Sequence, residues 1–225
     1  MILRLIITAW LSQIFIFAAY VQAGPIRYVA VGDSYTVGAG IDPSDSWPSQ
    51  LKNRLNGSGI VIELAANLGQ TGWTAEQAIA GQLPQLKVLK PDFVTLLIGV
   101  NDWIRGVNNK DFTYRLRALM DGIQEALTNP KNLLAITIPD FSCSPEGKKW
   151  GYGKSAVNGI ARLNKIIKRE AAERSLPLVD ITSLSRKLCA QPDAFSDDGV
   201  HPSGTQYSQW VDLMFIPAHN LLRKK

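Results

Sequence analysis

From Ile26 onward, short apolar runs alternate with segments of helical period, and this alternation constrains the fold more than any other feature of the chain. A strand covered on both faces reads as a nearly unbroken apolar run, whereas a covering helix repeats its apolar residues every three or four positions. Runs ordered this way build βαβ units with right-handed crossovers. The expected fold is therefore an α/β three-layer α/β/α sandwich on a five-stranded parallel sheet, in the flavodoxin-like order 2-1-3-4-5. The strands are read at Ile26–Val31, Ile60–Ala65, Phe93–Ile98, Leu133–Ile138 and Leu178–Ile181.

Helices are read between them. Trp47, Leu51 and Leu55 make one apolar face of a helix over Ser46–Asn56, ended by Gly57 and Gly59. Thr74, with Gln77 three residues later, marks a helix start by the capping-box pattern. Phe112, Leu116, Leu119, Ile123 and Leu127 form the stripe of a helix over Asp111–Leu127. Val157, Ile160, Leu163, Ile167 and Ala171 do the same for a helix of about five turns. A last helix begins near Ser203 and carries Tyr207, Trp210, Val211 and Met214. A long loop, Pro139–Gly151, follows strand four.

Residues 1–23 differ in character. Arg4 gives a positive start, Leu5–Tyr20 is apolar apart from Thr8, Ser12 and Gln13, and Val21-Gln22-Ala23 places small residues where a signal peptidase cuts. The segment reads as a signal peptide cleaved after Ala23, with an uncleaved membrane anchor as the alternative. Residues 24–225 then form one domain, exported to a periplasmic or extracellular space. The net charge of +5 is modest, and the basic residues form no run except Arg223-Lys224-Lys225, so nucleic-acid binding is not indicated. Nothing sets the oligomeric state; a monomer is expected.

In open α/β sheets, ligands bind beyond the carboxyl ends of the strands, at the point where strand order reverses. Gly32-Asp33-Ser34 follows strand one, and Gly99-Val100-Asn101-Asp102 follows strand three, so both flank that crevice. Ser34 is thereby placed as a nucleophile. A serine hydroxyl needs a base, and His201 is the candidate, since the second of the two histidines, His219, lies on the closing helix. Asp198, three residues before His201 in one tight loop, can hold the imidazole in its working tautomer. Acyl transfer also needs donors aimed at the developing oxyanion. The Ser34 main chain, Gly72 in the polar loop after strand two, and the side-chain amide of Asn101 are the candidates.

Together these segments resemble the SGNH hydrolase family, also called GDSL esterases/lipases, over almost the whole mature chain. Gly32-Asp33-Ser34 is similar to the family block that supplies the nucleophile. Asn67-Leu68-Gly69-Gln70-Thr71-Gly72 and Gly99-Val100-Asn101-Asp102 are similar to the blocks that supply oxyanion donors, and Asp198-x-x-His201-Pro202 to the block with acid and base. Two positions depart from the pattern: Tyr35 stands where the family name has leucine, and Val100 stands where glycine is frequent. The resemblance implies an ester hydrolase working through an acyl-enzyme, with a small ester, a lipid, a lysophospholipid or an acylated glycan as substrate.

Tyr35, Trp73, Trp103, Arg105, Trp150 and Tyr152 are candidate pocket walls, being aromatic or basic residues next to the proposed site segments. Cys143 lies past strand four and Cys189 past strand five; as these strands would be neighbours, a disulfide between them is expected after export. No cofactor is expected. There is no phosphate-binding glycine loop of the Walker type, and two histidines without a Cys/His cluster give no metal-ligand set. A flavodoxin-like cofactor protein is thus a weak reading. A non-catalytic carbohydrate- or lipid-binding protein on the same fold is the alternative to the esterase.

Overall fold

The computed structural model describes residues 24–223; the leader and its cleavage site fall outside the described residues. Five strands, β1 (Ile26–Gly32), β2 (Ile62–Asn67), β3 (Phe93–Leu97), β4 (Leu133–Ile136) and β5 (Leu178–Val179), form one sheet in the order β2-β1-β3-β4-β5. Every pairing is parallel. Ten α-helices are described: α1 (Ser34–Val37), α2 (Trp47–Gly57), α3 (Ala75–Gly81), α4 (Leu83–Leu89), α5 (Val100–Ile104), α6 (Asn109–Ala126), α7 (Pro145–Lys149), α8 (Gly153–Glu173), α9 (Thr182–Leu188) and α10 (Gly204–Leu222). The helices fall into two packed groups: α2 with α10, and α3, α4, α6 and α8 in succession.

The centre of the sheet is apolar because it is covered on both faces. Tyr28, Val29, Ala30 and Val31 of β1 are fully buried, as are Phe93 and Val94 of β3. Tyr28 packs its ring against Phe93, centroids 5.0 Å apart, and its phenol meets Thr95 Oγ1 at 2.9 Å, so the one polar atom it brings inside is satisfied. The register Gly32↔Leu97 brings the carboxyl ends of β1 and β3 level, and the loops after both open at the same edge.

The helix signals match local geometry. Thr74 caps α3 with a full capping box, its hydroxyl accepting from the Gln77 main chain while the Gln77 side chain accepts from Thr74 N–H. Ser203 caps α10 by accepting from Gln206 N–H. Glu170, fully buried on α8, is held between Arg117, Arg169 and Arg174. Burial alone would raise this carboxyl, but hydrogen bonds from the three guanidinium groups outweigh it and lower it.

Element boundaries differ from the sequence reading at several points. β2 begins two residues later, because Ile60 N–H still donates to Leu55 O and so completes the end of α2. Asn56 then fixes the strand start by pairing with both the N–H and the carbonyl of Ile62. β5 stops at Val179, where the Asp180 carboxylate accepts from Thr137 and from Thr182 N–H instead of continuing the ladder. α4, α5, α7 and α9 lie in stretches read as connections, α7 within the long loop 139–151. α1 replaces a simple turn after β1.

Candidate active site

Ser34 is the first residue of α1, just past β1, and is buried apart from its edge on the cleft. Asp33 caps that single turn by accepting from Tyr35 N–H at 3.0 Å. The turn is fixed from three sides. Asn67 Nδ2 donates to Thr36 O at 2.8 Å, and Tyr207 Oη on α10 donates to Tyr35 O at 2.8 Å. The backbone of Gly69 lies directly on the turn, where any Cβ would strike Val37 N and Asp33 O. Beneath it, the buried Gln82 amide donates to Gly32 O and Leu68 O and accepts from Gly32 N–H, tying the ends of β1 and β2 together.

His201 arrives from the opposite end of the chain. Its loop, between α9 and α10, is closed by a Phe195–Pro202 bridge and by Ser196 N–H donating to His201 O at 2.8 Å. Within it, Asp198 Oδ1 accepts from Ser196 Oγ and from the main-chain N–H groups of Val200 and His201, each at 2.9 Å. Asp198 Oδ2 faces His201 Nδ1 at 2.6 Å, and His201 Nε2 stands 2.9 Å from Ser34 Oγ. With the proton on Nδ1, Nε2 is the acceptor for the serine hydroxyl. Burial alone would raise the Asp198 carboxyl; hydrogen bonds from the His201 ring and main chain, then Val200 and Ser196, outweigh it and hold it down to about 2. Asp198 is therefore a carboxylate throughout the neutral range. The Tyr35 ring meets the imidazole edge-on at a centroid distance of 5.7 Å.

Ser34, Gly72, Asn101 and His201 line one cleft of about 150 Å³. Among the described residues, the main-chain N–H groups of Ser34 and Gly72 have no hydrogen-bond partner. Asn101 Nδ2 donates one hydrogen to Trp73 O at 3.0 Å, which aims the amide and leaves its second hydrogen free. Two buried carboxyls stand behind these groups. Burial, chiefly, pushes Asp33 up to about 8, with the nearby Asp102 adding to the rise; burial likewise pushes Asp102 up to about 6. Asp102, on α5, accepts from Ala75 N–H at 2.9 Å and so links the short helix after β3 to the start of α3.

Of the candidate walls, Tyr35 and Trp150 line the cleft. Trp73, Trp103, Arg105 and Tyr152 do not. Trp73 packs over Gly81 of α3. Arg105 turns back to donate to Gly72 O at 2.7 Å and to Gln77 Oε1 at 3.1 Å. Trp103 sits in a notch on α8 that exists because residue 159 is glycine; a Cβ there would overlap the indole. Tyr152 stacks edge-on against Trp103 at 5.2 Å. Both rings reach Phe141, which with Thr71, Val100, Ile104 and Val200 makes up the lining not read from the sequence. Phe141 lay in the long loop after strand four, where an apolar residue near a strand end was the available signal. Cys143 and Cys189 are joined, their Cα atoms 5.9 Å apart.

A parallel α/β sheet with hydroxyl, imidazole and carboxylate in one hydrogen-bonded line at its strand ends has the architecture of a serine hydrolase. The sequence profile of the GDSL-like lipase/acylhydrolase family matches residues 30–208, and the chain belongs to that family of ester hydrolases. It is 25% identical over 173 residues to thioesterase 1/protease 1/lysophospholipase L1 of Escherichia coli strain K12, covering 77% of this chain and 74% of that one. It is 26% identical over 186 residues to an arylesterase of Vibrio mimicus, covering 82% and 84%. In three dimensions it superposes on the psychrotrophic esterase EstA from Pseudoalteromonas with a TM-score of 0.68 at 18% identity, covering 88% of this chain and 99% of that one.

Proposed function

We propose that this protein is an exported serine esterase that cleaves carboxylic esters through an acyl-enzyme on Ser34. The observation carrying this reading is the continuous contact from Asp198 through His201 to Ser34, at 2.6 and 2.9 Å, beside two unpartnered N–H groups in the same cleft. Ser34 Oγ attacks the ester carbonyl while His201 Nε2 takes its proton and Asp198 supports the imidazolium. The carbonyl oxygen gains negative charge and is met by Ser34 N–H, Gly72 N–H and Asn101 Nδ2. His201 then gives its proton to the departing alkoxide oxygen as the ester C–O bond breaks. In the second half, His201 activates water, water attacks the acyl carbon, and the carboxylic acid leaves with Ser34 restored.

The cleft is small and partly apolar, with Val100, Ile104, Phe141, Trp150 and Val200 in its lining. It fits the carbonyl and a short stretch of acyl or alcohol substituent, the remainder of a lipid or acylated glycan lying outside. Export is supported by the leader-like composition of residues 1–23 and by the Cys143–Cys189 bridge, which suits an oxidising compartment. Among the described residues no helix is long and apolar enough to cross a membrane.

The test is covalent labelling with a fluorophosphonate. Wild-type protein is expected to label at one site and to hydrolyse a soluble p-nitrophenyl ester, and Ser34→Ala to lose both while keeping its melting temperature. A folded wild type that does not label would instead identify a binding protein on a hydrolase fold.

A further inference from the structure

We infer that the rim of the cleft is a docking surface for anionic lipid membranes, built from the aromatic and basic segment 148–154 with Ile104 opposite. Ile104, Trp150 and Tyr152 are each between 40% and 47% exposed, which is unusual for large apolar side chains grouped at one mouth. Ile104 and Trp150 both line the cleft, and Tyr152 stands 6.4 Å from Trp150, ring to ring. Tyr and Trp with half-exposed rings suit a lipid–water boundary, where the ring enters the headgroup layer and the polar atom stays wet.

Charge singles out the occupant. Lys148, Lys149 and Lys154 flank the two rings in sequence and are all exposed. Lys149 is paired to Glu146, whereas Lys148 and Lys154 form no ion pair among the described residues. Of the nearby carboxylates, Glu146 is paired to Lys149 and Asp198 to His201, so exposed Asp197 on the same loop as Asp198 is left against two lysines without an ion pair. Aromatic rings interleaved with unpaired lysines match an anionic headgroup layer, not a neutral glycan or a zwitterionic bilayer.

The segment is also held firmly enough to present such a surface. Trp150 and Tyr152 lean on the buried Phe141 at 5.8 and 6.4 Å. Glu146 N–H donates to Gly199 O at 3.0 Å, and the Cys143–Cys189 bridge anchors the base. A membrane seated here would cover the cleft mouth, so an amphiphile could pass its ester group inward while its remaining carbons stay in the bilayer. That direction of entry rests on the esterase reading; the docking itself does not.

The experiment separates the two by using the exported protein with Ser34→Ala for binding and the Ser34 protein for turnover. Binding is measured by co-sedimentation with vesicles of pure phosphatidylcholine and of phosphatidylcholine containing phosphatidylglycerol. Preferential binding to the anionic vesicles is expected, with Lys148→Gln plus Lys154→Gln weakening it on the order of thirtyfold, about fivefold for each lysine lost. Tyr152→Ser is expected to weaken it several-fold further. Hydrolysis of a soluble short ester by the lysine double variant is expected to stay within about twofold of wild type. Equal binding to both vesicle types, no binding to either, or a double variant that binds like its parent would overturn the inference. Loss of soluble-ester hydrolysis by the wild type would overturn the esterase reading and leave the binding result standing.

Discussion

Tyr207, on the last helix, donates its phenolic hydrogen to the main-chain oxygen of Tyr35, one residue past Ser34, at 2.8 Å and out of contact with solvent. This bond joins the turn that holds Ser34 to the helix that follows the His201 loop. It therefore constrains the distance between hydroxyl and imidazole from outside the relay. Tyr207→Phe preserves the ring packing against Trp210, centroids 5.0 Å apart, but leaves a buried carbonyl unpaired. A loss of about 1–3 kcal/mol in urea unfolding is expected. A fall in kcat larger than any change in KM should accompany it, and unchanged kinetics would show that the bond serves stability alone.

Asn101 gives one amide hydrogen to Trp73 O and keeps the other for the cleft. If that second hydrogen meets the oxyanion, Asn101→Ala lowers kcat by about a hundredfold to a thousandfold. KM for a soluble ester should move little, since the contact strengthens only as charge develops. Steady-state kinetics on two esters of different leaving group would check this; a change confined to KM would remove Asn101 from the oxyanion site.

The raised Asp33 carboxyl has a consequence for stability. Its folded value of about 8 lies above the ordinary value of 3.8, so between those limits the folded protein holds a proton that the unfolded chain releases. Stability must then fall as pH rises from about 4 to about 8. Asp33→Asn keeps the acceptor for Tyr35 N–H and carries no charge. The variant should show a flatter profile of unfolding free energy across that window and greater stability than wild type at its upper end. Parallel profiles for the two proteins would contradict the assignment.

Cys143 and Cys189 are separated by 46 positions. Closing a loop of this length contributes roughly 4 kcal/mol as an upper figure in the chain-entropy description. Replacing both by serine should lower the melting temperature by several degrees. It should also raise proteolysis within 140–153 before the rest of the chain is cut. Free-thiol titration of the unfolded, unreduced protein should find none.

The β-strands and the segments that meet at the cleft were legible because each is written locally. Buried parallel strands are uninterrupted apolar runs, Ser34 stands just past the end of β1, and Asp198 and His201 lie three residues apart in the one loop between α9 and α10. What was harder to read depends on partners distant in sequence. The two-residue offset of β2 follows from how α2 ends, through Asn56 and Ile60. Trp103 was read as a wall from its place beside Asn101, but its position is set by the missing side chain at Gly159, more than fifty residues on. Arg105 was placed by the same proximity and instead spends its guanidinium on Gly72 O and Gln77. Phe141 and Val200 enter the cleft through the docking of α7 on the acid–base loop, which no periodicity encodes.

Asp198 gathers four donors from residues 196–201, so carboxylate and imidazole are tied together within one short loop. Displacing that loop carries imidazole and carboxylate away together. The joint most exposed to disruption is consequently the one between His201 and Ser34, where two ends of the polypeptide meet. Any shift of that loop would thus part Ser34 from an Asp198–His201 pair that stays joined.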